Sequence, residues 1–200
     1  MHKLPLSFYL QTDVVKIARE LLGKILVTNW NNEFTSGRIV ETEAYAGESD
    51  KASHASKGRT TRTEVMFGEG GTAYVYLCYG IHQMFNIVTG KEGVPHAVLI
   101  RAIEPLSGID FILKRTGKKK FEEAVTRGPG NVGKAFGFHT VQCGISLISN
   151  ELYIADDGFI LPKSMIGTSP RVGVGYAGEH AAWHYRFFIK GNKYVSGKNR

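Results

Sequence analysis

Thr72-Ala73-Tyr74-Val75-Tyr76-Leu77-Cys78-Tyr79, then Gly80-Ile81-His82-Gln83, then Met84-Phe85-Asn86-Ile87-Val88, is the stretch whose reading decides the fold. Both flanks are rich in aromatic and β-branched residues, which favours strand. Tyr79 to His82 lies between them and reads as a hairpin tip. Gly80 permits the turn and leaves Tyr79 exposed at its apex. Similar short strand-like runs lie at Lys24 to Thr28, Arg38 to Tyr45, Ala97 to Ile103, Leu152 to Ala155, Arg171 to Val174 and Tyr185 to Lys190. They read as parts of one sheet.

Helical patterns are fewer. Thr12 is placed to be an N-cap, Asp13 falls in the first turn, and Val14, Ala18, Leu21 and Leu22 share a face before Gly23 ends the helix. Ile109 to Val125 reads as mostly helical, and a short helix follows Gly128-Pro129-Gly130 as far as Phe136. Gly47 to Gly71 is long, polar and rich in Gly, Ser and Thr, which in a compact domain marks a functional or mobile loop. The chain has no internal repeat and no linker that would divide it.

Bulk composition fits a globular chain. Of 200 residues, 42% are hydrophobic and 22% charged, which is far from a disordered composition. Two cysteines, Cys78 and Cys143, fit a reducing compartment better than a disulfide scaffold. Met1 to Ser7 lacks the apolar core of a signal peptide, and no apolar stretch approaches a membrane span. A cytoplasmic protein is expected. The formal net charge of +7 favours a polyanionic partner such as nucleic acid.

Several motifs have bland readings. Gly128 to Ala135 nearly matches a phosphate-binding loop, but Ala135 stands where Ser or Thr should ligate magnesium, and no apolar strand precedes it. It also resembles a helix-hairpin-helix turn with one residue too many between its glycines. A glycine-rich loop opening a helix fits best. His180 and His184 have helical metal-ligand spacing but no third ligand, so no metal is expected. Lys118 to Lys120 reads as a solvated loop, and Cys78 as a core residue. Glu41 and Glu43, two apart on a strand, share a face and in isolation would be read as solvated. Tyr74 and Tyr76 share another, as a half-buried aromatic ladder does. A functional reading gains from Glu43, Tyr45, His54, Tyr76, Asn86 and Arg101 all falling near strand ends or loops. Tyrosines with one acid at the floor form a pocket suited to a flat aromatic ring.

Gly37-Arg38-Ile39-Val40-Glu41-Thr42-Glu43-Ala44-Tyr45, Ala52-Ser53-His54, Val65-Met66-Phe67, Ala73 to Gly80, Leu99-Ile100-Arg101-Ala102, Pro170 to Gly175 and Tyr185-Arg186-Phe187 together resemble the alkyladenine (3-methyladenine) DNA glycosylase family. The blocks are long, in order and cover nearly the whole chain. The resemblance implies a DNA-repair enzyme that flips alkylated or deaminated purines out of the duplex and cuts their glycosidic bond. It implies that Glu43 activates the attacking water and Arg101 helps hold it. Tyr45, His54 and Tyr76 would grip the base, Asn86 would screen against normal guanine, and Tyr79 would fill the vacated stack. Bacterial relatives read Gly-Arg-Thr-Pro-Arg-Asn where this chain has Gly58-Arg59-Thr60-Thr61-Arg62-Thr63.

The expectation is a mixed α/β (α+β) fold. One domain, residues 1–200, would have a curved, mostly antiparallel sheet or open barrel, surrounding helices and a protruding β-hairpin. The activity expected is that of a monofunctional N-glycosylase in base excision repair, needing neither metal nor organic cofactor. Its partner would be double-stranded DNA carrying damaged purines, met by a monomer away from membranes. A non-catalytic lesion reader would have no use for Glu43, and an RNA-binding module none for a water-activating pair.

Overall fold

Among residues 1–197, which the computed structural model describes, nine strands form one unclosed antiparallel sheet. They are β1 (His2–Lys3), β2 (Ile25–Trp30), β3 (Glu33–Ala46), β4 (Ala73–Cys78), β5 (His82–Thr89), β6 (His96–Ser107), β7 (Leu152–Asp156), β8 (Ile166–Ser169) and β9 (Arg186–Ile189). The order is β1-β7-β2-β3-β6-β5-β4, and β9, which pairs with β8, also joins β3. The helices α1 (Leu6–Tyr9), α2 (Val14–Glu20), α3 (Ile109–Thr116) and α4 (Pro129–Ala135) surround it.

β3 organises the molecule. Its first half pairs with β2, from Glu33 to Arg38, and its second half with β9, from Glu41 to Glu43. β6 runs along its other side from Ser36 to Ala46. With neighbours on both sides, β3 is buried from Thr35 to Ala44 apart from half-buried Arg38. Gly37 allows the close approach: a Cβ there would lie 2.3 Å from Ile103 Cγ2 and 2.9 Å from the Glu104 carbonyl. The ladder then slips. Ile39 faces Ile103, Glu41 faces Ala102 and Thr42 faces Ile100, so Val40 and Arg101 are both skipped. Bulges of this kind re-aim side chains beside active sites. The apolar core, including Ile39, Ile100, Phe136 and Phe187, is fully buried against this sheet, and Phe85 stacks on Phe138 at 4.1 Å.

Most expected elements form where the pattern placed them, with four corrections. Asp13, not Thr12, caps α2, accepting from the Lys16 N–H at 2.9 Å. Ile109 to Val125 is helical only to Thr116, because Gly117 takes a left-handed φ of 70° and stops the helix. Arg171 to Val174 is not a strand. It bends away after β8 because its backbone and side chains are spent on the site described below. Cys78 is not core; it is half-buried near the hairpin tip.

The segment 47–71 is not loose. Three single 3-10 turns, Gly47–Ser49, His54–Lys57 and Glu64–Phe67, fold it against the sheet. Met66, Phe67 and Ala55 anchor it apolarly. Thr63 sews its tip together, accepting from the Thr60 N–H at 2.8 Å and donating to the Gly58 carbonyl at 3.0 Å.

Candidate active site

Glu43 is fully buried, not solvated as its strand spacing suggested, and the same holds for Glu41. The Tyr45 hydroxyl donates to Glu43 Oε2 at 2.8 Å. The Val172 N–H donates to Oε1 at 2.7 Å, and Arg101 Nη1 lies 3.3 Å from the same oxygen. Every contact to this carboxylate comes from a donor, so it is held as an acceptor at a fixed place. Burial, and then the charge of Glu43, push the Tyr45 phenol well above its ordinary pKa, so Tyr45 remains a donor.

Tyr45 is also a wall of a slot. Tyr45, Ser53, His54, Met66, Tyr74, Tyr76, Asn86, Ala97 and Tyr176 line it, and it encloses about 330 Å³ of empty space with its open mouth included. His54 packs edge-on to Tyr76 at 4.6 Å between centroids and shares a 2.9 Å hydrogen bond between Nδ1 and the Tyr74 hydroxyl. Burial, helped by Arg62 and Lys57, lowers the His54 pKa to about 4, so the ring is neutral at physiological pH. Burial likewise raises Tyr76. The walls are therefore uncharged aromatic faces. Asn86 donates its amide to the Tyr74 and Met84 carbonyls at 3.2 and 3.3 Å, which fixes its side chain at the lining. At the rim, the Arg62 guanidinium lies 4.9 Å from the Tyr76 ring centre.

Behind Tyr45 stands Arg171. Its guanidinium is 4.8 Å from the Tyr45 ring centre and 5.3 Å from that of Tyr185. It is paired with buried Asp50 and donates to the Ala44 carbonyl at 2.9 Å. Burial alone would raise the Asp50 carboxyl, but the hydrogen bonds and charge of Arg171, together with the Ala46 and Ala52 N–H groups, outweigh it and hold it low. This pair ties the 171–172 bend to β3 and so delivers the Val172 N–H to Glu43. Sequence reading assigned no role to Asp50, Arg171, Val172, Tyr74 or Tyr176. Pro170 to Gly175 stood out as a block, and that was the available signal.

The hairpin tip is built differently from the slot. Tyr79 has φ 51° and Gly80 φ 72°, and Ile81 N–H bonds back to the Cys78 carbonyl at 3.2 Å. Positive φ at both central residues is the type I′ pattern, usually met by Asn or Gly. The β2–β3 turn shows that choice, with Asn31 at 52° and Asn32 at 67°. Tyr79 is 89% exposed and Ile81 74% exposed, so a bulky ring sits in a disfavoured conformation without packing in return.

The structure thus gathers Tyr45, His54, Tyr76 and Asn86 at one slot, sets Glu43 and Arg101 directly behind it, and leaves Tyr79 apart on the β4–β5 hairpin. Among the described residues no His, Cys, Asp and Glu groups gather to hold a metal ion, and no helix is long and apolar enough to cross a membrane. His180 accepts from the Lys51 N–H at 2.9 Å and stacks on Trp183 at 4.0 Å.

Comparison with known proteins gives a consistent result. Residues 7–193 match the family described as Methylpurine-DNA glycosylase (MPG). A protein of Clostridium perfringens strain 13 is 43% identical, over 96% of this chain and 98% of its own length. One from Legionella pneumophila strain Corby is 45% identical, over 98% and 99%. One from Myxococcus xanthus strain DK1622 is 44% identical, over 98% and 94%. All three carry the provisional name 3-methyladenine DNA glycosylase.

Proposed function

The chain belongs to the methylpurine-DNA glycosylase family, and from that premise we propose that it repairs DNA by flipping damaged purine nucleotides into the aromatic slot and hydrolysing their glycosidic bond. The observation that supports this most is the join between slot and acid. Tyr45 lines the cavity and donates its hydroxyl to Glu43, 2.8 Å away.

A base within a duplex cannot reach such a slot, so it must be extruded at a cost of roughly a few kcal/mol. Tyr79 enters from the minor groove and fills the gap. Alkylation at purine N3 or N7 makes the base cationic. Neutral tyrosine and histidine faces attract it, each contact contributing about 1 kcal/mol or more when desolvated. The neutrality of His54 matters here, because a charged imidazole would repel that guest.

Alkylation also weakens the glycosidic bond. Water attacks C1′ of the sugar, the bond to the base nitrogen breaks, and the base leaves with the electron pair. Glu43 takes the proton from the water, and Arg101 helps place that water. An alkylated cation leaves as a neutral base and needs no proton donor. Asn86, fixed at the lining, opposes the exocyclic amino group of normal guanine. Among the described residues the slot is lined by no lysine, which fits a monofunctional hydrolase rather than a Schiff-base lyase.

Duplexes carrying 3-methyladenine, 7-methylguanine, hypoxanthine or ethenoadenine test the proposal directly. At least one free base should appear, with an intact abasic strand. A protein that releases none of the four, while folded and bound to the duplex, contradicts it.

A further inference from the structure

Glu41 lies beneath this machinery and has no part in it so far. Its Oε1 accepts from Arg101 Nε at 2.9 Å, Arg186 Nε at 2.6 Å and the Ser196 hydroxyl at 2.8 Å. Its Oε2 accepts from the Ser196 N–H at 2.7 Å. Arg186 is held in turn by the Ser169 hydroxyl at 2.9 Å and the Ser196 carbonyl at 2.6 Å. None of the Glu41, Glu43, Arg101 and Arg186 side chains is more than 7% exposed. Two carboxylates and two guanidinium groups therefore share one buried compartment.

The Arg101 guanidinium is divided between the acids. Its Nε side belongs to Glu41, and Nη1 lies 3.3 Å from Glu43 Oε1, a longer approach than any Glu41 contact. The double slip in the β3–β6 ladder, which skips Val40 and Arg101, creates this division. We infer that Glu41 is a positioning residue for the reaction: by holding Arg101 from the Nε side it keeps the full positive charge off Glu43 and so keeps Glu43 a competent base. The inference rests on the reading of Glu43 as the base that activates water.

A purely structural role is the competing account. Buried ion networks are a weak source of stability, and apolar replacements of similar volume often serve as well. The compartment also reaches the reactive carboxylate, which a structural staple need not do. The groups facing Glu43 are Tyr45 from β3, Arg101 from β6, Tyr76 from β4, and Arg171 and Tyr176 from beyond β8. From β9, Arg186 lies opposite Glu43 in the strand register and is ion-paired with Glu41. Of the acids in this set, only Glu41 draws Arg101 away.

The test is single-turnover base release against pH, using whichever of the four lesions the wild type releases fastest. Glu41→Gln should move the acidic limb about one pH unit lower, since a like charge is lost and Arg101 is freed toward Glu43. The plateau rate should fall about tenfold, short of the roughly 100- to 10,000-fold expected from losing the base. Glu41→Gln/Arg186→Met removes one charge of each sign, which preserves neutrality where the single variant fails to fold, and it should shift the limb the same way. A folded variant that keeps the wild-type limb overturns the inference. So does failure of both variants to fold, because the network is then structural. Glu43→Gln separates the two ideas. If it stays active, the base assignment fails; if it is inactive while the Glu41→Gln limb is unmoved, only the positioning role fails.

Discussion

Replacing Tyr79 with Asn separates function from stability more sharply than any other substitution here. Both effects have a sign fixed by the structure. At φ 51° a Cβ-bearing residue is strained, by roughly 1–2 kcal/mol relative to ordinary backbone. Asn tolerates this region well, as Asn31 and Asn32 do in the same turn pattern at the other hairpin. Against that relief stands any packing lost. Tyr79 is 89% exposed, so of the roughly 150–250 Å² an aromatic buries when enclosed, only a small part is at stake, a few tenths of a kcal/mol. Tyr79→Asn should therefore leave stability unchanged or raise it by up to about 1 kcal/mol, a Tm rise of at most about 2–4 °C for a chain of this size. Activity should move the other way. Stacking of an aromatic side chain against bases is worth about 1–3 kcal/mol, so base release from a well-paired duplex should fall roughly 10- to 100-fold. The same lesion opposite a mismatch or in a single strand should be nearly unaffected. Thermal melts and single-turnover release on the three substrates measure both. A Tm fall of many degrees would show Tyr79 to be structural. An unchanged rate on the paired duplex would refute the wedge.

Glu43→Gln should abolish base release and leave lesion binding in place, measured by single-turnover kinetics beside a titration of lesion duplex; near wild-type release contradicts the assignment. Duplex affinity should fall steeply with salt, by about −0.9 in log K per log salt for each phosphate neutralised, and a flat dependence would sink the claim that backbone contacts dominate. Burial lowers the His54 pKa to about 4 from 6.5, so on acidification the unfolded chain takes the proton first. The stability this gives is fully present above about pH 6.5 and drains away as pH falls toward 4. His54→Gln should flatten that part of the Tm–pH curve; an unaltered curve refutes the reading, and His96, also lowered by burial, keeps a residual slope. Thr63→Val removes a hydroxyl that bonds Thr60 and Gly58. Leaving those groups unpaired should cost about 1–3 kcal/mol, seen as a lower Tm, and no change would mean that the loop is held elsewhere.

The hairpin and the central strands were legible because their signals are local. Tyr79-Gly80 between two aromatic runs announces a turn, and Arg38 to Tyr45 announces a strand. Taken in isolation, Glu41 and Glu43 look solvated for an equally local reason: two acids on one strand face ordinarily meet water. What overrules that is non-local. β9, arriving from residues 186–189, and β6, slipped by a residue on each strand, enclose the carboxylates and bring Arg101 and Arg186 to them. Register slips of this kind are not carried by any composition or period, because skipping Val40 and Arg101 leaves alternation intact on either side.

The residues missed entirely show a second limit. Val172 acts through its amide, which every non-proline residue possesses, so its identity says nothing about its role. What gives it one is the path of residues 171–172, and that path is set by Arg171 locked to Asp50 across more than a hundred residues. Read as sequence, Arg171-Val172-Gly173-Val174 alternates like a strand. In the fold, the Arg171 charge must be neutralised where it is buried, and only the bend brings it to Asp50 and the Ala44 carbonyl. Strand pairing along this segment would satisfy the backbone but strand the guanidinium. The charge decides, and the bend it imposes delivers the amide to Glu43. Arg171→Met therefore probes the site rather than stability alone. Asp50 would be left buried without its partner, so Asp50→Asn/Arg171→Met is the variant to make. It should fold, since one charge of each sign is removed, yet lose base release because the Val172 N–H and the Tyr45 ring are no longer held against the acid. Wild-type kinetics in that folded double variant would show that the bend is fixed by something other than the pair.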